Sequence, residues 1–155
     1  MTAHWLSLRP PLSGQTIPMA DVPDLAFSEG AMGEGVAIVP AEGVVRAPVA
    51  GQVVVLFPTG HAVALQSPEG VEVLIHVGID SAGAPGVFTP VVAQGDEVQA
   101  GDLLVRFDLE KLRRTARSVV APVVITGLPE GLKLEFPPTG ETVTAGVGSL
   151  LHVVR

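Results

Sequence analysis

The stretch Phe57–Asp80, FPTGHAVALQSPEGVEVLIHVGID, decides how this chain is read. It holds two of the four histidines, and each sits in an apolar run. His61 lies in Gly60-His61-Ala62-Val63-Ala64-Leu65. His76 closes the run from Val71 to Ile75 and is followed by Val77-Gly78-Ile79-Asp80. Between them Ser67-Pro68-Glu69-Gly70 is a turn signal. Two β-rich runs around a four-residue turn predict an antiparallel hairpin. If Leu65 faces Glu72 and Val63 faces Leu74, then His61 faces His76. Opposed side chains have Cβ atoms about 4.5–5.5 Å apart, and a slip of one residue moves them to opposite faces.

Two facing imidazoles support two kinds of chemistry. Their neutral nitrogens can ligate a metal ion. Alternatively, one ring attacks a phosphoryl group and the other stabilises the charge that develops. Thr59, two residues before His61, falls on the same face of a strand, where its hydroxyl can fix the ring's tautomer. A pair of satisfied, half-buried histidines is the bland alternative.

Outward from the hairpin, 155 residues suit one domain with a sizeable core. The expected layout is a loose end over residues 1–10 and a single domain over 11–155. With 47% hydrophobic and 16% charged residues the chain is globular. Its 18 glycines and 14 prolines, with few helix-periodic segments, predict many short strands joined by turns. The fold class is therefore mostly β, an antiparallel sandwich or barrel with one or two short helices. The best helix is Asp108–Arg117, capped by Asp108, with Leu109, Leu112 and Ala116 on its buried side. Lys111, Arg113, Arg114 and Arg117 read as its solvated surface.

A net charge of −7 argues against a nucleic-acid partner, which requires a basic face. The absence of cysteine excludes disulfides and thiolate metal sites and suits a reducing compartment. No apolar run reaches the roughly 18 residues of a membrane span, and the first residues have no signal-peptide pattern. A cytoplasmic protein is expected. Gly30–Gly35 lacks the spacing of a phosphate loop and precedes the strand-like Val36–Val39, so it reads as a turn. Asp96 and Asp102 read as turn residues beside glycines. Val45–Val53 is similar to the turn of lipoyl and biotinyl carriers, but no lysine precedes Lys111 to hold such a cofactor.

The ordered motifs resemble one family. Thr59-x-His61-Ala62 followed by Leu74-Ile75-His76-Val77-Gly78-Ile79-Asp80 is similar to the glucose-type enzyme IIA domain of the bacterial phosphoenolpyruvate-dependent sugar phosphotransferase system. The other matches are Val22-Pro23-Asp24 with Phe27, Gly33-x-Gly35-Val36-Ala37-Ile38, Ala47-Pro48-x-x-Gly51, Gly95 with Gly101-Asp102, Phe107-Asp108 and Pro122-Val123-Val124-Ile125. The resemblance covers nearly the whole chain, from about Pro11 to Val153. The loop Ser81–Phe88 departs from the family pattern by being one residue shorter.

The resemblance implies a duplicated-hybrid β-sandwich. It implies that His76 accepts a phosphoryl group from the phosphocarrier HPr and passes it to a IIB domain of a sugar permease, in support of sugar uptake. His61 is then the partner that stabilises the phosphoryl oxygens, Thr59 orients His61, and Asp80 closes the motif. Phe27, Met32, Phe57 and Leu74 match an exposed apolar patch where partners dock. No cofactor is required. The alternative function is a regulatory binding module that uses the same patch against transporters or enzymes. In it His61 and His76 hold zinc at an inter-protein contact, with a carboxylate from the partner. Lysostaphin-type metallopeptidases have a distantly similar fold but need a His-x-His pair, which this chain lacks.

Overall fold

The structure is a computed structural model and describes residues 4–83 and 85–155. The strands are β1 (His4–Leu8), β2 (Gly14–Pro18), β3 (Glu34–Pro40), β4 (Val44–Arg46), β5 (Gly51–Leu56), β6 (Ala62–Gln66) and β7 (Glu72–His76). They continue as β8 (Phe88–Pro90), β9 (Glu97–Val98), β10 (Leu103–Phe107), β11 (Ala121–Gly127), β12 (Lys133–Glu135), β13 (Thr142–Val143) and β14 (Leu151–Val154). Two short α-helices, α1 (Leu25–Ser28) and α2 (Leu109–Thr115), interrupt them. None of the helices among the described residues is long and apolar enough to cross a membrane.

Eight strands form one antiparallel sheet in the order β13-β2-β3-β11-β7-β6-β5-β9. Two three-stranded sheets, β1-β14-β12 and β4-β10-β8, complete the sandwich. Alternation along the strands sends Ile38, Leu65, Val73, Ile75 and Val123 of the large sheet into one core with Leu8, Val45, Leu104, Leu151 and Val153 of the small ones. The opposite face of the large sheet is covered in its middle by α1. There Phe27 and Val22 pack with Ala37, Ile79, Val120 and Val124. Beside them Ala62, Ala64 and Leu74 form a smaller apolar cluster. His76 ends β7 two residues after Leu74, on this second face between the two clusters.

The hairpin is present, but its register differs by one residue from the expected one. Ala62, not His61, faces His76, and Gln66, not Leu65, faces Glu72. The cause is in the turn. Ser67 joins the pairing through its N–H to the Val71 carbonyl at 2.9 Å, and its Oγ accepts from the Val71 N–H at 3.1 Å. This leaves a three-residue loop, Pro68-Glu69-Gly70, in which Gly70 has φ +93°. Such loops close hairpins with a left-handed residue at the bulge.

The loose end expected over residues 1–10 is also corrected. His4–Leu8 pairs with β14, with Leu8 opposite Leu151, and Leu8 is fully buried. Residues 1–3 lie outside the described residues. The helix expected at Asp108–Arg117 is α2, with the Asp108 carboxylate accepting from the Lys111 N–H at 3.0 Å and Leu112 fully buried. Asp96 and Asp102 do close turns, accepting from the Ala93 and Gln99 N–H groups at 2.8 Å each.

Gly35 sits where β3 meets β11, and a Cβ there would collide with the Val123 carbonyl oxygen. That atom is backbone and cannot rotate away. Gly35→Ala is expected to lower unfolding free energy by about 1–3 kcal/mol, read from urea melts. Gly83→Ala, whose added Cβ meets nothing within 4 Å, should be close to neutral in the same assay.

Candidate active site

The site is built where β7 runs out. After His76 the chain turns through Gly78 at φ +82° and Asp80 at φ +54°, both in the left-handed region. Glycine enters that region freely, and aspartate is one of the few other residues that tolerate it. The turn is pinned on all sides. The Val77 N–H donates to the His61 carbonyl at 2.7 Å, the Gly78 N–H to the Val120 carbonyl at 3.0 Å, and the Ile79 N–H to the Ser118 carbonyl at 2.9 Å. The buried Ser81 Oγ donates to the Val77 carbonyl at 2.6 Å.

This turn aims the Gly78 carbonyl at the ring of His76, 2.9 Å from Nδ1. A carbonyl only accepts, so Nδ1 carries the proton and donates. The other nitrogen, Nε2, is then unprotonated and has a free lone pair. On the facing segment, Gly60 at φ +79° precedes a bend at His61, just before β6 begins. The His61 carbonyl still accepts from Val77, but the bend just before β6 releases its side chain from strand alternation. Its ring therefore lies against His76 despite the changed register. The centroids are 5.0 Å apart and the planes meet at 82°. Thr59, in the preceding turn, hydrogen-bonds His61 Nδ1 through its hydroxyl.

Phenylalanines flank both rings. Phe27 lies 5.2 Å from His76, tilted by 56°. Phe57 meets His61 edge-on at 5.2 Å, and Phe88 is 6.3 Å from it. Burial by these neighbours disfavours a charged imidazolium. His61 is only 7% exposed, and its pKa falls to about 4, first through burial and then through the neighbouring His76. His76 is also held below the usual histidine value by burial, against the opposing pull of the Gly78 hydrogen bond and the Asp24 carboxylate. Both rings are thus neutral near pH 7.

The structure brings His61, His76 and Thr59 together. Asp80 lies in the same loop, exposed. Among the described residues no hydrogen bond joins its carboxylate to either ring, and its visible contribution is the left-handed turn. The carboxylate felt at His76 is that of Asp24. Asp24 also caps α1, accepting from the Ala26 N–H at 2.9 Å. An Asp just before a short apolar segment is a helix-start signal, and it was legible on those terms.

The four residues of the apolar patch that the resemblance implies divide by exposure. Met32 and Phe57 are each 40% exposed, but Phe27 is 5% and Leu74 7% exposed, so both are core-facing. Phe27 is the inward residue of α1, and Leu74 packs against Ala62 and Ala64 on the covered sheet face. Leu25, on the same helix as Phe27, is 71% exposed. Two imidazoles are also too few to hold a metal ion. Among the described residues no three His, Cys, Asp or Glu side chains cluster for one, so zinc would need ligands from another molecule.

Comparison with known proteins agrees with this fold. The family model described as phosphoenolpyruvate-dependent sugar phosphotransferase system, EIIA 1, matches residues 6–130. The solved structure of glucose permease IIA from Mycoplasma capricolum aligns with a TM-score of 0.87 and 34% sequence identity, covering 96% of this chain and 94% of that one. Helicobacter pylori Csd3 aligns at a TM-score of 0.42 and 14% identity over 83% of this chain and 31% of that one, a likeness too weak to carry an argument. The sandwich, its ordered motifs and the paired histidines have one common explanation: the chain belongs to the EIIA 1 family of the phosphoenolpyruvate-dependent sugar phosphotransferase system.

Proposed function

We propose that the chain relays a phosphoryl group through His76, accepting it from HPr and passing it to a IIB domain of a sugar permease, in the cytoplasm. The observation that carries this reading is the hydrogen bond from His76 Nδ1 to the Gly78 carbonyl. It leaves Nε2 unprotonated and half-buried beside a second neutral ring, which is the state a nitrogen nucleophile requires.

In the first step the Nε2 lone pair forms a bond to phosphorus as the donor's own phosphorus–nitrogen bond breaks in line with it. The donor nitrogen keeps that electron pair, and the proton of His76 stays on Nδ1, hydrogen-bonded to the Gly78 carbonyl. In the second step the acceptor's nucleophile displaces His76 in the same way. Little covalent work falls to the protein, so positioning and charge stabilisation dominate. With the Thr59 hydroxyl donating to His61 Nδ1, the proton of that ring is on Nε2, free to donate to a phosphoryl oxygen. A phosphoryl group carries negative charge, which favours the proton on His61 and strengthens this contact. The flanking phenylalanines limit water around the labile phosphorus–nitrogen bond. Leu25, Met32 and Phe57 supply the exposed apolar rim on which donor and acceptor dock in turn.

Intact mass after incubation with phosphoenolpyruvate, enzyme I and HPr tests the relay. A gain of one acid-labile phosphoryl group is expected in the native chain and none in His76→Gln. Labelling of His76→Gln on another residue would refute the assignment. His61→Gln should still accept the group but deliver it to IIB on the order of 100-fold more slowly, as when one donor to a developing anion is removed. Leu25→Ser should raise the KM for phospho-HPr while the maximal rate and the melting temperature hold.

The neutral rings also set a pH dependence. The folded-state pKa of His61 lies near 4, below the 6.5 of an imidazole in an unfolded chain. Between those values the unfolded chain binds more protons, so stability is full above about pH 6.5 and is lost as the pH falls toward 4. The contribution of His61 to the loss from pH 7 to pH 5 is about 2 kcal/mol. Urea titrations at the two pH values should show that loss in the native chain and about 2 kcal/mol less of it in His61→Gln.

A further inference from the structure

Four rings stand in a row across the site: Phe27, His76, His61 and Phe57, with successive centroids 5.2, 5.0 and 5.2 Å apart. Phe57 and Phe27 differ sharply within it. Phe57 is 40% exposed and free to meet a partner, whereas Phe27 is 5% exposed. A residue so covered has little surface left for docking. What its ring does touch is the imidazole of His76.

Phe27 is firmly placed. Helix α1 has only four residues, and its first turn hangs on Asp24, whose carbonyl accepts from the Phe27 N–H at 3.1 Å and the Ser28 N–H at 2.9 Å. The Met32 N–H returns to the Ala26 carbonyl at 3.1 Å, closing the segment on itself. Beneath, Val22, Ala37, Ile79, Val120 and Val124 surround the side chain. Two of these supports belong to the segments that aim Gly78: Ile79 is its neighbour, and the Val120 carbonyl accepts its N–H at 3.0 Å. The same small cluster therefore seats both the ring beside His76 and the turn that bonds it.

His76 needs this support because one hydrogen bond fixes only one edge of an imidazole. Rotation about its outer bond is soft, since such torsions have broad wells. A half-turn exchanges Nδ1 and the carbon opposite, breaks the bond to Gly78 and frees the proton to occupy either nitrogen. His61 closes one side of the ring, edge to face, and Phe27 closes another.

We infer that Phe27 is a positioning residue for phosphoryl transfer, whose ring holds the His76 imidazole in the one orientation that keeps Nδ1 on Gly78 and presents Nε2 to the donor. The inference rests on His76 as the acceptor. It replaces the docking role that the family resemblance implies for Phe27 with an orienting one.

The test compares Phe27→Leu and Phe27→Met, which retain apolar bulk without a flat face, with Phe27→Tyr, which keeps the face. Histidine-selective long-range proton–nitrogen spectra of the unphosphorylated protein report which nitrogen of His76 carries the proton. The native chain and Phe27→Tyr should show the proton on Nδ1 alone. In Phe27→Leu the two nitrogen shifts should move toward each other as tautomers mix, with Phe27→Met serving if the leucine variant does not fold. The maximal rate of transfer from phospho-HPr should fall on the order of 10- to 100-fold, with KM within about twofold of native, the loss that misorientation produces.

An unchanged ring spectrum in the leucine and methionine variants overturns the inference. So does a changed spectrum with an unchanged rate, or a rise in KM alone, which is the mark of docking. A native chain that takes no phosphoryl group refutes the relay itself, and the ring spectra still decide whether Phe27 holds the imidazole.

Discussion

Everything in the site follows from one hydrogen bond, that between His76 Nδ1 and the Gly78 carbonyl. For the carbonyl to reach back two residues, the chain must leave the strand at once and turn through the left-handed region at Gly78. A Cβ at that position would approach Ser81 Cβ to 3.0 Å and the Ser118 carbonyl oxygen to 3.2 Å. The conformation therefore requires glycine twice over, for its φ and for the space. The turn is held by backbone groups of Val120 and Ser118, just before β11, and β11 lies between β3 and β7 at the centre of the large sheet. The orientation of one ring thus rests on the strand at the centre of the large sheet.

The same arrangement explains why two histidines can be placed so close. Two imidazolium ions with centroids at 5 Å would repel, and burial would penalise each. Both penalties vanish when the rings are neutral. The fold accepts weaker stability in acid, and both imidazoles are uncharged near pH 7. A nearby carboxylate, Asp24, tempers this for His76 without reversing it.

How much of this could be read in the sequence depends on how local each cause is. The strand-turn-strand pattern of Phe57–Asp80, the cap of α2 and the turns at Asp96 and Asp102 are set by a few consecutive residues, and the sequence shows them. The pairing of the histidines was legible in outcome but not in detail. Ser67 looked like part of the turn, and only its bonds to Val71 show that it extends the ladder. The rings meet because His61 has left the strand, not because the strands are in the expected register. Phe27 and Leu74 could not be told from exposed docking residues, because what covers them comes from Val120–Val124 and from Ala62 and Ala64. Strand β1 was missed for the same reason. Its five residues carry little pattern, and the strand it pairs with lies at the far end of the chain.

That last pairing has a consequence for how such a domain can be carried. His4 lies opposite Val154, so the two ends of the fold are hydrogen-bonded neighbours. A polypeptide entering at one would leave beside the other, at the same end of the adjacent strands β1 and β14. The domain is in this respect a closed loop with a seam. A short linker could join the ends and new ends be opened elsewhere in an exposed turn, with no strand of the large sheet displaced. Spliced into a longer polypeptide, it would hang from a single point, and the flanking segments would need no span across the sandwich to accommodate it.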